Sequence, residues 1–268
     1  MDDPKKIVRE KYGQIARGSK ITLDSGDCCP APGCCSGVDY TIFSDSYENL
    51  EGYNPDADMG LGCGLPTEFA MIKEGDTVLD LGSGAGNDCF VARALAGESG
   101  RIIGLDMTEE MVEKARENAA RLGYKNVEFI LGDIENMPLT DNLADVIVSN
   151  CVLNLVPDKV KAFDEIRRVL KPGAHLSVSD VAFQGHLPEK LKQAAELYAG
   201  CVSGAIGLDD YLRIMEDAGL VNIKIQKVKP LTVPDELLLQ YINNTELVEL
   251  KKSGTGIFSI TVYAEKPV

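Results

Sequence analysis

The sequence predicts an α/β fold in which helices cover both faces of a doubly wound, mostly parallel sheet. Five apolar segments typical of buried strands alternate with amphipathic segments between residues 76 and 179. A glycine cluster directly follows the first of these strands, as in Rossmann-like sheets. Two later strands are placed to pair as an antiparallel edge, which gives seven strands in all.

The first half of the chain begins with a helix over residues 4–17, where apolar side chains recur on one face between charged ones. Thr108 caps a helix that runs to about residue 122, and Gly123 ends it. The glycines after the first strand lead into a helix over about 87–97. Buried strands are predicted at residues 76–81, 101–105 and 127–131.

The second half continues with a strand at 144–149 and a helix at about 159–170, which ends before the turn Lys171-Pro172-Gly173. Residues 229–256 have little periodicity and are predicted to form an irregular insertion. The remaining predicted elements are a strand at 174–179, helices at about 188–199 and 208–218, and strands at 221–228 and 257–264.

The composition divides the chain into three predicted regions. Residues 1–70 form an N-terminal helix and a loop segment rich in glycine, proline and cysteine. Residues 71–182 form the Rossmann-like ligand-binding domain, and residues 183–268 form a substrate-binding region that completes the sheet. A long segment with little periodicity is more often functional than a mere connection. The loop segment is therefore expected to contribute to a site.

The charge of the chain limits its partners. Lys and Arg number 27 against 42 Asp and Glu, which gives a formal net charge of −15 over 268 residues. Nucleic acid and anionic membrane surfaces would be repelled, so neither is an expected partner. A neutral or cationic small molecule suits this surface better. The protein is expected to act as a monomer.

The eight cysteines suggest thiol chemistry. The sequence shows no apolar run of membrane-spanning length and no signal peptide, so a cytoplasmic location is expected. Cysteines in a reducing compartment serve as reactive thiols or metal ligands more often than as structural disulfides. The two histidines, His175 and His186, are interpreted as structural or surface residues.

The first strand–helix turn predicts a nucleotide-type site. Gly82, Gly84 and Gly86 allow a sharp turn and a close approach of the backbone to a ligand. Asp106 ends the second strand, where a carboxylate can accept both hydroxyls of a ribose. Asp80 precedes the glycines, where it would suit a cationic ligand better than a pyrophosphate. The glycine pattern alone does not identify the ligand, so a dinucleotide-binding domain and a domain that binds no ligand stay open as alternatives.

The end of the third strand adds a place for an adenine ring. The segment Gly132-Asp133-Ile134-Glu135 offers acidic or amide groups at the edge of such a ring. In this order, the motifs resemble those of the class I S-adenosylmethionine (SAM) methyltransferases over about residues 70–228. This resemblance implies SAM as the cofactor. The residues it assigns to cofactor binding are Tyr12, Asp80, Gly82, Gly84, Gly86, Asp106, Met107, Asp133, Ile134, Glu135 and Asn150.

Three cysteines lie in distinctive local sequence. Cys63 and Cys201 are in glycine-flanked turns, where burial in a core is poor, and Cys151 follows the fourth strand. Doubly wound sheets place ligands outside the carboxyl ends of their strands. The three thiols are therefore expected to converge above the methyl donor. Cys89 lies beside Phe90 on a predicted helix and is interpreted as a buried apolar residue.

The cysteine motifs restrict the resemblance to one family within the SAM methyltransferases. GLGCGLP, DLGSGAGNDCF, GLDMTEEM, DIENMP, SNCVLNL, LKPGAHLSVSD and AGCVSGA, in that order, resemble the arsenite SAM methyltransferases, which detoxify arsenic. The resemblance spans about residues 12–218 and is weakest in 18–50; it is also weak in 229–256. It implies that Cys151 and Cys201 bind trivalent arsenic, and that Cys63 is needed for turnover and can join a disulfide with an N-terminal cysteine.

The N-terminal cysteines depart from the pattern of that family. Two adjacent pairs, Cys28-Cys29 and Cys34-Cys35, stand in the loop segment. Cys34 or Cys35 is the predicted partner of Cys63, although the pairs could also relay a disulfide or hold arsenic on entry. Zinc is an alternative, but the spacing C-C-x4-C-C lacks the usual C-x2-C motif.

The thiols suit a soft substrate. Trivalent arsenic prefers soft thiolate ligands, and arsenous acid is uncharged near neutral pH. The expected substrates are arsenite or its thiol conjugates, with a cytosolic reductant of the thioredoxin or glutathione type. Two alternatives stay open at this point. One is a SAM methyltransferase acting on a small organic acceptor, and the other is a thiol-based metalloid sensor.

Overall fold

The computed structural model describes residues 4–18, 45–185, 202 and 204–268. Several predictions fall outside this part of the chain and stay predictions. They concern the helix at 188–199 and the residues Cys28, Cys29, Cys34, Cys35, His186 and Cys201. The division of the chain into three regions also stays a prediction.

A single mixed sheet forms the centre of the described structure. Its strands are β1 (Thr77–Leu81), β2 (Arg101–Asp106), β3 (Val127–Leu131), β4 (Ala144–Asn150), β5 (Leu170–Gln184), β6 (Val221–Leu231) and β7 (Gly256–Glu265). They lie in the order β3-β2-β1-β4-β5-β7-β6. Strands β1 to β5 are parallel, whereas β7 runs antiparallel to both β5 and β6. The doubly wound, mostly parallel, seven-stranded sheet is thus confirmed.

Helices pack on both faces of the sheet. They are α1 (Pro4–Ala16), α2 (Pro66–Phe69), α3 (Asn87–Ala96), α4 (Glu109–Leu122), α5 (Lys159–Val169), α6 (Leu208–Asp217), α7 (Asp235–Leu238) and α8 (Asn244–Ser253). No helix among the residues that the structure describes is long and apolar enough to cross a membrane.

The alternation of side chains along the strands builds two cores. Val78 of β1 packs with Phe90 of α3, whereas its neighbour Leu79 packs with Phe163 of α5 and Tyr211 of α6. Successive side chains of a strand point to opposite faces, so one buried strand serves both layers. This is why the central strands are apolar throughout rather than alternating.

Two sequence predictions need correction. The turn predicted at Lys171-Pro172-Gly173 lies inside β5, where the pairing with β4 shifts in register between Ala144 and Val146. Gly173 has φ +77° there, so the segment forms an irregularity within a longer strand. The insertion at 229–256 was predicted to be irregular, but α7 and α8 lie within it.

The sheet brings distant residues together at one edge. Asn150 and Ser179 are register partners at the carboxyl ends of β4 and β5. The Cys151 amide donates to the Ser179 carbonyl at 2.7 Å, which places Cys151 beside Asp180. The loop containing Cys63 packs onto the same edge, because Ser259 Oγ on β7 donates to the Cys63 carbonyl at 2.6 Å.

Candidate active site

The glycine loop after β1 is shaped for close approach of a ligand. Gly82, Gly84 and Gly86 have φ values of +69°, +53° and +100°, which side-chain-bearing residues rarely adopt. The loop is braced by Asp106 at the end of β2. Its carboxylate accepts hydrogen bonds from the Gly84 amide at 2.9 Å and the Thr108 amide at 2.8 Å. The backbone of the loop is therefore preorganised.

A cleft opens above this loop. Helix α1 covers one side of it with Lys5 and Tyr12, and Ser83 lines it with a buried Oγ that has no hydrogen-bond partner in the described structure. A concave site lined by both apolar and polar groups is typical of small-molecule binding. Predicted site residues in its lining are Tyr12, Gly82, Gly84, Asp106, Met107, Asp133, Ile134, Asn150 and Cys151.

A buried carboxylate, Asp80, lies beneath the loop, and a half-buried one, Asp88, lies in the wall of the cleft. Asp80 is 2% exposed and accepts a hydrogen bond from Cys89 Sγ at 3.3 Å. Burial raises the pKa of Asp80 well above its ordinary value, and the neighbouring charge of Asp88 raises it further. Burial also raises the pKa of Asp88 to about 6. Buried acids close to a cleft favour a ligand that carries positive charge.

The acids at the end of β3 are held by helix α1. Lys5 Nζ pairs with Asp133 at 2.5 Å and with Glu135 at 2.6 Å. Burial alone would raise the pKa of Asp133, but the hydrogen bonds from Lys5 and from the Glu135 amide bring it below its ordinary value. Glu135 also accepts from the Asp158 amide at 2.9 Å. Both partners of the Glu135 carboxylate are therefore groups of the protein itself.

The side chain of Asn150 joins the cleft to the cysteine loop. Its Oδ1 accepts from the Cys63 amide at 3.0 Å, and its Nδ2 donates to Tyr47 Oη at 2.6 Å and to Asp88 at 3.2 Å. Tyr47 in turn donates to Asp88 at 2.9 Å. A Cβ at Gly62 would lie 2.5 Å from Asn150 Nδ2, so only glycine allows this approach. The loop and the cleft therefore share one hydrogen-bond network.

Two predicted thiols meet at the edge of the cleft. The Sγ atoms of Cys63 and Cys151 and a carboxylate oxygen of Asp180 lie within 4.8 Å of one another, and all three residues are buried. Cys151 lies in the wall of the cleft, and Cys63 is fully buried behind it. Both thiols belong to an apolar cluster that includes Val202, the chain neighbour of Cys201.

Asp180 was not predicted from the sequence. Its carboxylate accepts from the Val181 amide at 3.0 Å and from Tyr211 Oη at 3.3 Å, and Lys159 acts on it electrostatically. Burial raises the pKa of Asp180 to about 7. The available signal was the polar run Ser177, Ser179 and Asp180 inside an otherwise apolar strand, since such residues need a reason to be buried.

Comparison with known proteins identifies the family. A methyltransferase domain model matches residues 72–219. An arsenite methyltransferase from Halobacterium salinarum is 40% identical, and the alignment covers 99% of this chain and 67% of that protein. The human arsenite methyltransferase is 34% identical over 94% of this chain and 68% of its own length. The chain belongs to the arsenite methyltransferase family.

A crystal structure from this family shares the fold. The arsenic(III) S-adenosylmethionine methyltransferase from Chlamydomonas reinhardtii superposes with a TM-score of 0.66 at 34% identity, covering 77% of this chain and 68% of that one. The chain spans about two thirds of the length of these relatives. The architecture is that of the class I SAM-dependent methyltransferases, and the chain is a member of this enzyme class.

The cleft of this family member fits SAM. The buried Asp80 and the half-buried Asp88 suit a cofactor with an ammonium and a sulfonium group, and Asp106 lies where a ribose could be bound. The unpartnered Ser83 Oγ offers a further polar contact. When bound, SAM supplies a methyl group on a positively charged sulfur. Asp88 and Tyr47 are lining residues that the sequence prediction missed, and Asp88 stands at the first turn of α3, directly after the glycines.

Proposed function

We propose that this chain transfers methyl groups from SAM to trivalent arsenic held by cysteine thiolates, with arsenite or its thiol conjugates as substrate. The observation that supports this most directly is the meeting of Cys63 and Cys151 at the edge of the cofactor cleft. Cys201 is the proposed further ligand, supported by Val202 in the same apolar cluster. Asn150 and Ser259 hold the Cys63 backbone in place.

The proposed substrate binding exchanges ligands without redox change. Each thiol replaces one hydroxyl of arsenous acid, and the hydroxyl leaves as water with the thiol proton. The arsenic lone pair is then the nucleophile, and no proton has to leave before methyl transfer. Burial of the thiols excludes water and fixes the approach, which supplies most of the rate in such a reaction. This fits the position of His175, whose Nε2 contacts the Ala70 carbonyl at 2.6 Å rather than the thiols.

The proposed redox cycle uses a protein disulfide. Methyl transfer converts arsenic to the pentavalent state, and two electrons must return it to the trivalent state. Oxidation of Cys63 with Cys34 or Cys35 to a disulfide would supply two electrons and two protons. A thiol reductant of the thioredoxin or glutathione type would then restore both thiols. Since Cys63 is fully buried, its partner must reach it within the protein or the loop must open.

The function is tested by incubating the protein with SAM, arsenite and a thiol reductant, followed by speciation of arsenic. The wild-type chain should form methylated arsenic, and Cys63→Ser and Cys151→Ser should not. Cys89→Ser is the matched control, because it replaces a buried thiol that contacts Asp80 instead of the other thiols. If both variants kept wild-type activity, a SAM methyltransferase of an organic acceptor would be the better description.

The redox step has a separate test. Protein that has turned over without reductant should have two fewer titratable thiols per chain than reduced protein, and Cys63→Ser should remove this difference. An unchanged thiol count after turnover would contradict the disulfide.

The proposed cellular setting is a reducing cytosol, and the proposed oligomeric state is a monomer. Light scattering during size-exclusion chromatography tests the oligomeric state.

A further inference from the structure

The cluster of Cys63, Cys151 and Asp180 contains one group that arsenic chemistry leaves unexplained. Trivalent arsenic is satisfied by soft thiolates and hydroxyl, so a carboxylate within 4.8 Å of both sulfur atoms is not required to bind it. Asp180 is fully buried, and a buried acid is costly unless it is paired or binds a cation. Val181, Tyr211 and Lys159 stabilise this carboxylate, and its position beside the two sulfur atoms adds an oxygen donor of different chemistry to the cluster.

Two thiolates and one carboxylate are a donor set typical of zinc. Zn²⁺ binds cysteine sulfur and carboxylate oxygen, and three protein ligands leave the fourth tetrahedral position open. Mg²⁺ and Ca²⁺ prefer sites made of oxygen alone. The three donors come from separate segments: the loop before α2, the end of β4, and β5. The backbone of the fold, rather than a flexible tail, therefore holds them together.

The surroundings of Asp180 match those of a metal-binding carboxylate. Tyr211 Oη and the Val181 amide donate to it at 3.3 and 3.0 Å, which fixes its orientation. Two thiolates and a carboxylate around Zn²⁺ leave one net negative charge. The half-buried ammonium of Lys159 acts on Asp180 and can balance that charge. Lys159 itself is anchored by the carbonyls of Asn154 and Val156 at 3.1 and 3.3 Å.

We propose that Cys63, Cys151 and Asp180 form a Zn²⁺ site, and that Zn²⁺ and arsenite exclude each other there. Bound water molecules leave Zn²⁺ as two Zn–S bonds and one Zn–O bond form. The two thiol protons, and the Asp180 proton where it is present, pass to water, with no electron transfer. Exclusion follows because both ligands need the same sulfur atoms. Asp180 distinguishes the two ligands, since it coordinates zinc and is dispensable for arsenic. The exclusion of arsenite rests on the function proposed above, whereas zinc binding does not.

The test is equilibrium dialysis of the reduced full-length protein against buffered Zn²⁺. Wild-type protein should hold one more equivalent of zinc than Cys151→Ser, and this comparison subtracts any zinc bound by the N-terminal cysteine pairs. Asp180→Asn should weaken the additional site by about tenfold or more, while arsenite binding, measured in the same cells, should change less than about threefold. Asp210→Asn, which alters an exposed carboxylate of α6, should leave both affinities unchanged.

The outcomes separate cleanly. Equal zinc content in wild type and Cys151→Ser would overturn the site, and so would unchanged zinc affinity in Asp180→Asn. Loss of S-adenosylhomocysteine binding would reveal a failure of Asp180→Asn to fold. In that case the wild-type protein alone tests the proposal: arsenite should displace the additional zinc, and retention of that zinc would contradict the shared site. Simultaneous binding of both at full stoichiometry would contradict the exclusion. A chain that binds this zinc but methylates no arsenite would refute the proposed function alone.

Discussion

The cofactor half and the thiol half of the cleft are built in different ways. The cofactor half comes mainly from consecutive strand–helix units, with the glycine loop after β1 and Asp106 at the end of β2. The thiol half joins residues that lie far apart in the chain, such as Cys63, Cys151 and Asp180. Local motifs therefore specify one half, whereas strand order and register specify the other. The Asn150 network is the physical link between the two.

The largest effect is expected for Cys151→Ser. Oxygen is a poor ligand for soft trivalent arsenic, so the rate of arsenite methylation should fall on the order of 100-fold or more. The dissociation constant for SAM should change little, because the glycine loop is untouched. Initial rates together with SAM titrations measure both quantities. A parallel loss of SAM binding would mean that Cys151 supports the cofactor half of the cleft as well as the thiol half.

Gly82→Ala should damage the cofactor half instead. The position has φ +69°, and an added Cβ would overlap the side chain of Val152. Strain of about 1–3 kcal/mol corresponds to a loss of SAM affinity of roughly 5- to 150-fold. Calorimetric titration of SAM measures it. The added Cβ meets Val152 and neither thiol, so stoichiometric arsenite binding without SAM should persist. Loss of arsenite binding would show that displacement of Val152 also moves Cys151.

Gly64→Ala is the matched substitution in the thiol half. Its Cβ would lie 2.7 Å from Ser179 Oγ, so the loop must shift and carry Cys63 with it. We expect about a tenfold fall in kcat for arsenite methylation, since small misplacements of reacting groups are costly. The dissociation constant for SAM should stay within about twofold of wild type. Weak SAM binding with a normal kcat would instead show that Gly64 supports the cofactor half of the cleft.

Tyr47→Phe probes the link between the halves. It removes the hydroxyl that donates to Asp88 and accepts from Asn150, at a cost of about 1 kcal/mol, or roughly fivefold in kcat. The Cys63 loop should open more often, so alkylation of this buried thiol, followed by mass spectrometry, should become faster. Tyr263→Phe is the control, because its hydroxyl contacts Glu265 on the same strand, β7. Equal alkylation rates in both variants would refute the coupling.

The smallest effect concerns pH. Burial raises the pKa of Asp88 in the folded protein to about 6. The folded protein therefore favours the protonated carboxyl, and this contribution to the free energy of unfolding is lost as pH rises from about 4 through 6. A cationic cofactor instead favours the ionised form. SAM affinity should therefore fall a few-fold between pH 7.5 and pH 5. Asp88→Asn should flatten this dependence, as measured by titration at both pH values; an unaltered slope would exclude Asp88 as its source.

The glycine loop and the strand-end acid could be located from the sequence because their signals are local. Glycines that need positive φ and an acid at a strand end can be recognised within a short segment, and the structure places Gly82 and Asp106 at the cleft. The meeting of thiols was predicted from their positions near the carboxyl ends of the strands, and the structure brings Cys63 and Cys151 together. Their roles toward arsenic came from the family resemblance. Cys201 stays a prediction because it lies outside the described residues.

The missed features arise from packing across long sequence separations. Asp180 gains its importance only when β4 and β5 pair in register, and Tyr47 only when its loop reaches α3. The ion pair of Glu135 with Lys5, distant in sequence, was also missed, and the assignment of Glu135 to the cofactor stays a prediction. Helix α8 was missed because only Leu247 is buried in it. Its capping box, Asn243 with Glu246, is a short local signal.

The backbone at Cys151 has a consequence for laboratory evolution. Its φ of +60° is a left-handed conformation that costs a cysteine roughly 1–2 kcal/mol, whereas glycine or asparagine adopts it readily. A screen that rewards heat resistance alone should therefore enrich replacements at this residue that gain thermal tolerance and discard a reactive sulfur. Libraries derived from this scaffold need a survival assay on arsenic at every round.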